Sequence, residues 1–490
     1  VVPAEIPQTL VAHAALLLWP FISLAIFAIS KSLSRALICN ILVAQLLLPV
    51  GASIKFQMVP QIDKVSIANF CAMIGCLVLS RGKPATPSRG FGLVEILLLL
   101  NLASPIITSE LNSDSLVIGG RVLPGVGLYD AISTAEQIAI SLIPFVLGRR
   151  FLRTADDCRS ILVILTIAGL CYSVPLLFEI RFSPQLHNWV YGYMPTDFVQ
   201  EMRNGGFRPM VFMGHGLLAA FFMMTSVLAA TALWRSAIKL GPLSASVATP
   251  YLGLVLLLCK SMGATLNAIG GFLLIFFMKP KIQFLAATAL VTISLTYPLL
   301  RSMDLVPTAT ILEISKSFSV DRAESLRYRF QNEDMLLERA FERPLFGWGR
   351  FGRSRVFDQD TGTDLSVTDG RWIIDIGQFG LLGFLSEFGL LATCVYRAAA
   401  AFRLTQGATE QRCLAGLALI ASINVFDLLP NSGLIPWTWL LAGALLGRAE
   451  ALRFGPRPAR AHRPAPSSLT LGSQSLAPGR LGAARSSIQQ

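Results

Sequence analysis

The side chains in this sequence whose type and spacing suggest chemistry fall mainly in two polar stretches. In the first, Arg203 and Arg208 lead into Pro209-Met210-Val211-Phe212-Met213-Gly214-His215. In the second, Arg322, Arg327 and Arg329 precede a Pro- and Gly-rich turn, after which come Asp369 and Arg371. Leu326, Phe330, Leu337 and Phe341 recur at helical spacing, so residues 323–342 read as an amphipathic helix on a membrane surface, with Arg329 at the edge of its apolar face. From there a guanidinium reaches lipid phosphates while its stem stays in the interface, and its planar fork takes two phosphate oxygens at once. Asp369 is a candidate general base, and equally a candidate helix N-cap. The plainer readings of the others are a salted helix face for the arginines and a packed, hydrogen-bonded ring for His215.

Other motifs point elsewhere or nowhere. Gly347-Trp348-Gly349-Arg350-Phe351-Gly352 has the spacing of a dinucleotide loop but follows no strand; it reads as a turn closing onto the membrane surface. The eight cysteines have no metal-ligand spacing and read as small apolar residues. No acidic cluster suits a divalent metal. Asp375 and Glu387 are acids inside an apolar run, a pattern that also fits a transporter.

The elements that must position these groups are membrane helices. The chain has 490 residues, 53% hydrophobic and 14% charged, with mean hydropathy +0.60. Soluble domains carry about 25% charged residues. Thirteen apolar runs fall at roughly 9–30, 36–52, 65–80, 91–108, 131–148, 160–178, 211–234, 246–259, 263–278, 282–300, 373–396, 412–428 and 433–447, close to the roughly 20 residues that cross a bilayer. Of the 41 Lys and Arg residues none lies within the interior of a run; Arg412 stands at the very start of the run 412–428 and the rest lie outside the runs. The expected fold is an all-α polytopic membrane protein with about 12–13 transmembrane helices over residues 1–447.

The net charge of +12 reflects topology rather than nucleic-acid binding. Basic residues concentrate in every second short connection: Lys31/Arg35, Arg81/Lys83/Arg89, Arg149/Arg150/Arg153/Arg159, Arg235/Lys239, Lys279/Lys281 and Arg397/Arg403/Arg412. The positive-inside rule places these in the cytoplasm. Residues 246–278 could be one long helix, but the charge bias favours two short ones with Lys260 at the outer surface. Two long connections, 179–210 and 301–372, are then periplasmic, and long loops in a compact chain are often functional. The Pro-, Ala- and Arg-rich segment 448–490 reads as a disordered basic cytoplasmic tail.

Residues 200 to 390 resemble the O-antigen ligases and the O-antigen and exopolysaccharide polymerases, polytopic glycosyltransferases of the bacterial inner membrane. Three pieces in order carry the resemblance. An arginine precedes an apolar helix opening with Gly and His (Arg208 to Gly216). Arg329 stands fifteen residues before Pro344-Leu345-Phe346-Gly347-Trp348-Gly349. Gly380-Leu381-Leu382-Gly383 follows eleven residues after Asp369. Lys260 takes the place of a basic residue between two short helices. Glu333 stands where the family usually has Trp, and Asp369 where the ligases have their catalytic His, which favours a polymerase over a strict ligase.

The resemblance implies polymerisation of polyprenyl-diphosphate-linked oligosaccharide units into a surface polysaccharide, without metal or cofactor. Arg329 and Arg208 would hold the diphosphate, Asp369 would take the acceptor proton, and Arg203, His215, Lys260, Arg322, Arg327 and Arg371 would contact substrate. Membrane lipid, a chain-length regulator and a flippase are the implied partners. A ligase to a lipid or protein acceptor, or a polysaccharide transporter or flippase, are the alternatives; a transporter should show paired repeats, which this sequence lacks.

Overall fold

A computed structural model describes residues 9–56, 59–80, 91–203 and 205–455. The protein is an all-α polytopic membrane protein. Its helices are α1 (Leu10–Ile29), α2 (Leu33–Leu47), α3 (Lys64–Leu79), α4 (Leu93–Glu110), α5 (Leu128–Phe151), α6 (Ala155–Phe182), α7 (Leu186–Tyr191) and α8 (Gly216–Arg235). They continue with α9 (Ala245–Leu258), α10 (Met262–Phe277), α11 (Pro280–Ser302), α12 (Thr308–Phe318), α13 (Val320–Phe341), α14 (Arg371–Ala401), α15 (Ala408–Phe426) and α16 (Pro436–Phe454). Each of the thirteen apolar runs falls on one of these helices. Seven helices are long and apolar enough to cross a membrane, and α2, α3, α9 and α10 are shorter apolar helices. Inside a bilayer a helix is favoured because it satisfies every backbone group within its own segment. Three short hairpins, β1–β2 (Ser53–Phe56, Val59–Asp63), β3–β4 (Leu116–Ile118, Arg121–Leu123) and β5–β6 (Met202–Arg203, Gly206–Phe207), lie in the connections.

Helix α8 is the hub. Most of its apolar window is buried by protein, against α6, α9, α10 and α15. Its hydroxyls fold back onto its own carbonyls, as Thr225 does to Phe221 and Thr231 to Val227. At the rim, α1 turns Leu10, Phe21 and Leu24 outward, the surface lipid would cover. Helices α5 and α16 approach through Gly148, Gly443 and Gly447; a Cβ on Gly148 would lie 2.7 Å from the Leu440 carbonyl. Small residues four apart are a common device for close helix packing in membranes.

Connections gather at two ends. At one end, Thr9 donates to the Tyr191 carbonyl, the Val50 amide to His187 Nε2, Asn112 to the Gly347 carbonyl and the Arg371 amide to the Leu428 carbonyl. At the other, Arg149 bridges Glu95 (2.7 Å) and Glu450 (2.8 Å), Arg448 pairs with Glu410, and Arg412 donates to the Arg235 carbonyl. Both long connections and the Cys259–Ser261 turn lie at the first end. Helices α9 and α10 are therefore two elements, as the charge pattern required.

Three expectations change. Helix α13 begins at Val320 rather than 323, and is preceded by α12, which has no counterpart in the sequence reading. Its apolar side is only partly covered by protein: Ala323, Leu336, Leu337 and Ala340 are buried, Leu326 and Phe330 are half-buried, and Phe341 is exposed. The segment read as a tail from 448 begins as helix, because α16 runs to Phe454 with Arg448 and Glu450 paired; residues 456–490 lie outside the described residues, as do Arg81, Lys83 and Arg89. Third, α14 is not one straight helix. Arg371 and Glu387 would lie about 24 Å apart along a straight helix, yet their side chains meet at 2.7 Å. Gly380, at φ 65° and ψ −164°, folds the chain into two arms, 371–379 and 381–401.

Candidate functional site

The elbow in α14 leaves backbone groups without helical partners. The Pro344–Gly349 turn supplies them. Trp348 and Gly349 amides donate to the Gly377 and Gln378 carbonyls (both 2.9 Å), and the Leu381 and Leu382 amides donate to the Pro344 and Leu345 carbonyls (2.8 and 3.2 Å). Irregular backbone at membrane depth is tolerated only where protein satisfies it in this way. The Gly-rich turn thus docks on an elbow, not on the membrane surface, and the two glycine motifs are two halves of one joint. Gly347 and Gly380 both have positive φ, and a Cβ on Gly347 would lie 2.5 Å from the Gln378 backbone.

The joint is held from outside by arginines. Arg339 and Arg343 cover the Trp348 ring at 3.5 and 4.4 Å. Arg353, fully buried, donates to the carbonyls of Asp114 (2.6 Å), Pro124 (3.0 Å) and Trp348 (3.2 Å). Burial lowers the pKa of both Arg339 and Arg353 from the usual guanidinium value.

Just before α14, Asp369 meets Arg329 of α13: Nε to Oδ2 is 3.3 Å. Arg329 Nη1 donates to the Pro430 carbonyl (3.0 Å), which leaves Nη2 without a partner among the described residues. Both side chains are about one-third exposed. Gly370, not Asp369, is the N-cap of α14, so the capping reading of Asp369 does not hold. Asp427, at the end of α15, lies within the field of Arg329 and accepts from Asn267 (3.2 Å) and Asn431 (3.1 Å).

A second cluster forms on the first long connection. Glu201, fully buried, accepts from the Gly216 amide (3.1 Å) at the start of α8, with His215 Nδ1 3.8 Å away. His215 caps α8, accepting from the Leu217 amide (3.0 Å), as the plainer reading had it. Arg208 is buried, and its stem and Glu201 occupy the space a side chain on Gly216 would need. The Lys260 ammonium lies where a side chain on Gly206 would be, and Arg208 acts electrostatically on neighbouring Cys259. Helix α10 links the clusters: Lys260 stands before its start, and Asn267 about 10 Å further along holds Asp427.

The remaining candidates divide. Arg322 is two turns before Arg329 on the same face of α13, whereas Arg327, two residues away, projects from the opposite face and is separated from it by helix geometry. Arg371 is committed elsewhere: it bonds Glu387 (2.7 and 2.8 Å) and Asp375 (3.0 Å) and ties the arms of α14 across the elbow. These bonds give Arg371 a structural task, while it also lines the smaller of the two cavities beside α5. The Arg203 side chain lies outside the described residues. Glu333 accepts from Tyr297 (3.0 Å) and faces Arg301 (3.4 Å), fastening α13 to α11; burial pushes its carboxyl above the usual range.

Sequence reading missed Glu201, Asp427 and Arg353. Asp427 had a signal, an acid within an apolar run; Glu201 and Arg353 were single charges in polar connections. No group of three or more His, Cys, Asp or Glu suited to a metal ion occurs among the described residues. Two cavities, of about 730 and 360 Å³, lie beside α5; neither is lined by Arg208, Arg329 or Asp369. Comparison with protein-family models finds no match, and comparison with curated proteins finds none either.

Proposed function

We propose that this protein is a glycosyltransferase that uses a lipid-diphosphate-linked sugar donor and lengthens a surface polysaccharide on the outer side of a bacterial inner membrane. The observation that carries this reading is the Arg329–Asp369 pair at the mouth of α14: a cation with a nitrogen to spare beside an exposed carboxylate. The acceptor hydroxyl oxygen attacks the anomeric carbon, and the bond from that carbon to the diphosphate breaks, its electron pair leaving with the diphosphate. Arg329 stabilises that charge, and Arg208, in the neighbouring cluster at the start of α8, is the second arginine assigned to the diphosphate. Asp369 takes the hydroxyl proton and releases it to water. The outward assignment rests on the basic residues gathered at the opposite end of the bundle.

The intermediate that accumulates when the gene is deleted tests the class of acceptor. Single repeat units left on lipid are the expected result. Finished polymer left on lipid would make the protein a ligase, and no change in any lipid-linked glycan would overturn the reading. Arg329→Ala should reproduce the deletion while the protein remains in the membrane; normal polymer would reduce Arg329 to a helix tether.

A further inference from the structure

The two cavities beside α5 share Gln137 and Ser141 and extend from Tyr129 to Leu142, about 20 Å along the helix. They run from the β1–β2 hairpin to the docking turn and the arms of α14. Polar groups on a membrane helix are costly and are retained where they face a cavity or a pathway. Three amides face this one: Asn101 of α4, Gln137 of α5 and Gln378 of α14. Asn101 is 4% exposed, and among the described residues none of the three side chains makes a hydrogen bond. Asn101 and the half-buried Gln378 open their amides onto the cavity and Gln137 is exposed, so all three have donors and acceptors to offer a ligand.

The lining selects the ligand. Lys55, Arg350 and Arg371 are balanced by Asp63, Glu136 and Glu387. A groove for a diphosphate would carry an excess of cations, and one for an acyl chain would lack the amides and hydroxyls. Tyr129, Phe351 and Trp439 supply flat apolar faces between the polar groups. Amides, balanced charges and aromatic faces together suit a chain of neutral sugars, whose hydroxyls need donors and acceptors and whose ring faces pack on aromatics.

We propose that this groove binds a neutral oligosaccharide strand, separately from the Arg329–Asp369 cluster. Its role as the seat of the growing polymer rests on the transfer reading above; its binding of glycan does not.

The test uses the full-length protein in lipid nanodiscs free of glycoside detergent. A panel of neutral gluco-, galacto- and manno-oligosaccharides is screened by saturation-transfer NMR, and native mass spectrometry identifies co-purified ligands. At least one panel member should bind, about tenfold more weakly to Gln137→Leu and to Asn101→Leu, as loss of a hydrogen-bonded amide implies. Gln137 is exposed, so its leucine variant should fold normally; unchanged thermal unfolding verifies this. Binding to no panel member, equal binding to the Gln137→Leu variant, or a phospholipid as the displaced occupant would each overturn the proposal. Arg329→Ala should abolish transfer and leave oligosaccharide binding intact. If it leaves transfer intact while Gln137→Leu still loses glycan, the transfer mechanism fails and the groove stands.

Discussion

Replacing Asp369 by asparagine separates a chemical role for this carboxylate from a structural one. The side chain is 37% exposed and touches Arg329 through a single 3.3 Å contact. An exposed pair of this kind contributes at most about 1 kcal/mol. Asparagine keeps an oxygen that can accept from Arg329, so the stability change should lie below that figure. Gly370 caps α14 without a side-chain bond, so no cap is lost either. Removing a general base costs about 10²–10⁴ in rate, or roughly 3–5 kcal/mol of barrier. The two effects therefore differ several-fold. The assay places Asp369→Asn as the only copy in cells, with polymer measured on gels, lipid-linked units by mass spectrometry and thermal unfolding on purified protein. The expected result is a normally stable protein with polymer reduced at least a hundredfold. Normal polymer from this variant would refute the base assignment. An unfolded variant would refute the reasoning about exposure.

Gly380→Ala should destabilise the protein by about 3 kcal/mol or more, from strain at positive φ and loss of the bonds to the docking turn; a melting temperature within error of wild type would show that the elbow relaxes. Thr361→Cys, on an exposed part of the second connection, should label with a membrane-impermeant thiol reagent in intact spheroplasts, whereas Gln406→Cys at the opposite end should not. The reverse pattern would invert the topology. Glu333 has its pKa raised on folding, so its contribution is fully present below the unfolded carboxylate value and is lost as pH rises through the folded one. Glu333→Gln keeps an acceptor for Tyr297 without that titration, so its thermal unfolding should fall less than that of the wild type as pH rises above the usual carboxylate value of about 4.3; parallel curves would show that Arg301 keeps Glu333 ionised throughout.

Hydropathy and charge are properties of single segments. The chain by itself therefore determined which thirteen runs become helices, that Lys260 separates two of them, and that the basic connections alternate with the long ones. An apolar run of that length has few alternatives in lipid, and a basic residue at its centre would cost at least about 2.5 kcal/mol. Arg329, Asp369, Arg208 and His215 were legible as residues of interest because charge is scarce in such a sequence. What each of them does depended on partners far along the chain. The elbow at Gly380 exists because a turn more than thirty residues earlier offers donors and acceptors at the right places, which no local periodicity encodes. Arg371 looked as free as Arg329 until the fold brought Glu387 back to it. Helix α13 was legible as amphipathic, but only the fold decided that Leu337 packs on protein while Phe341 stays exposed. Partner identity, covered faces and the two cavities beside α5 belong to tertiary structure, because a side chain's surroundings are set by which elements pack against it.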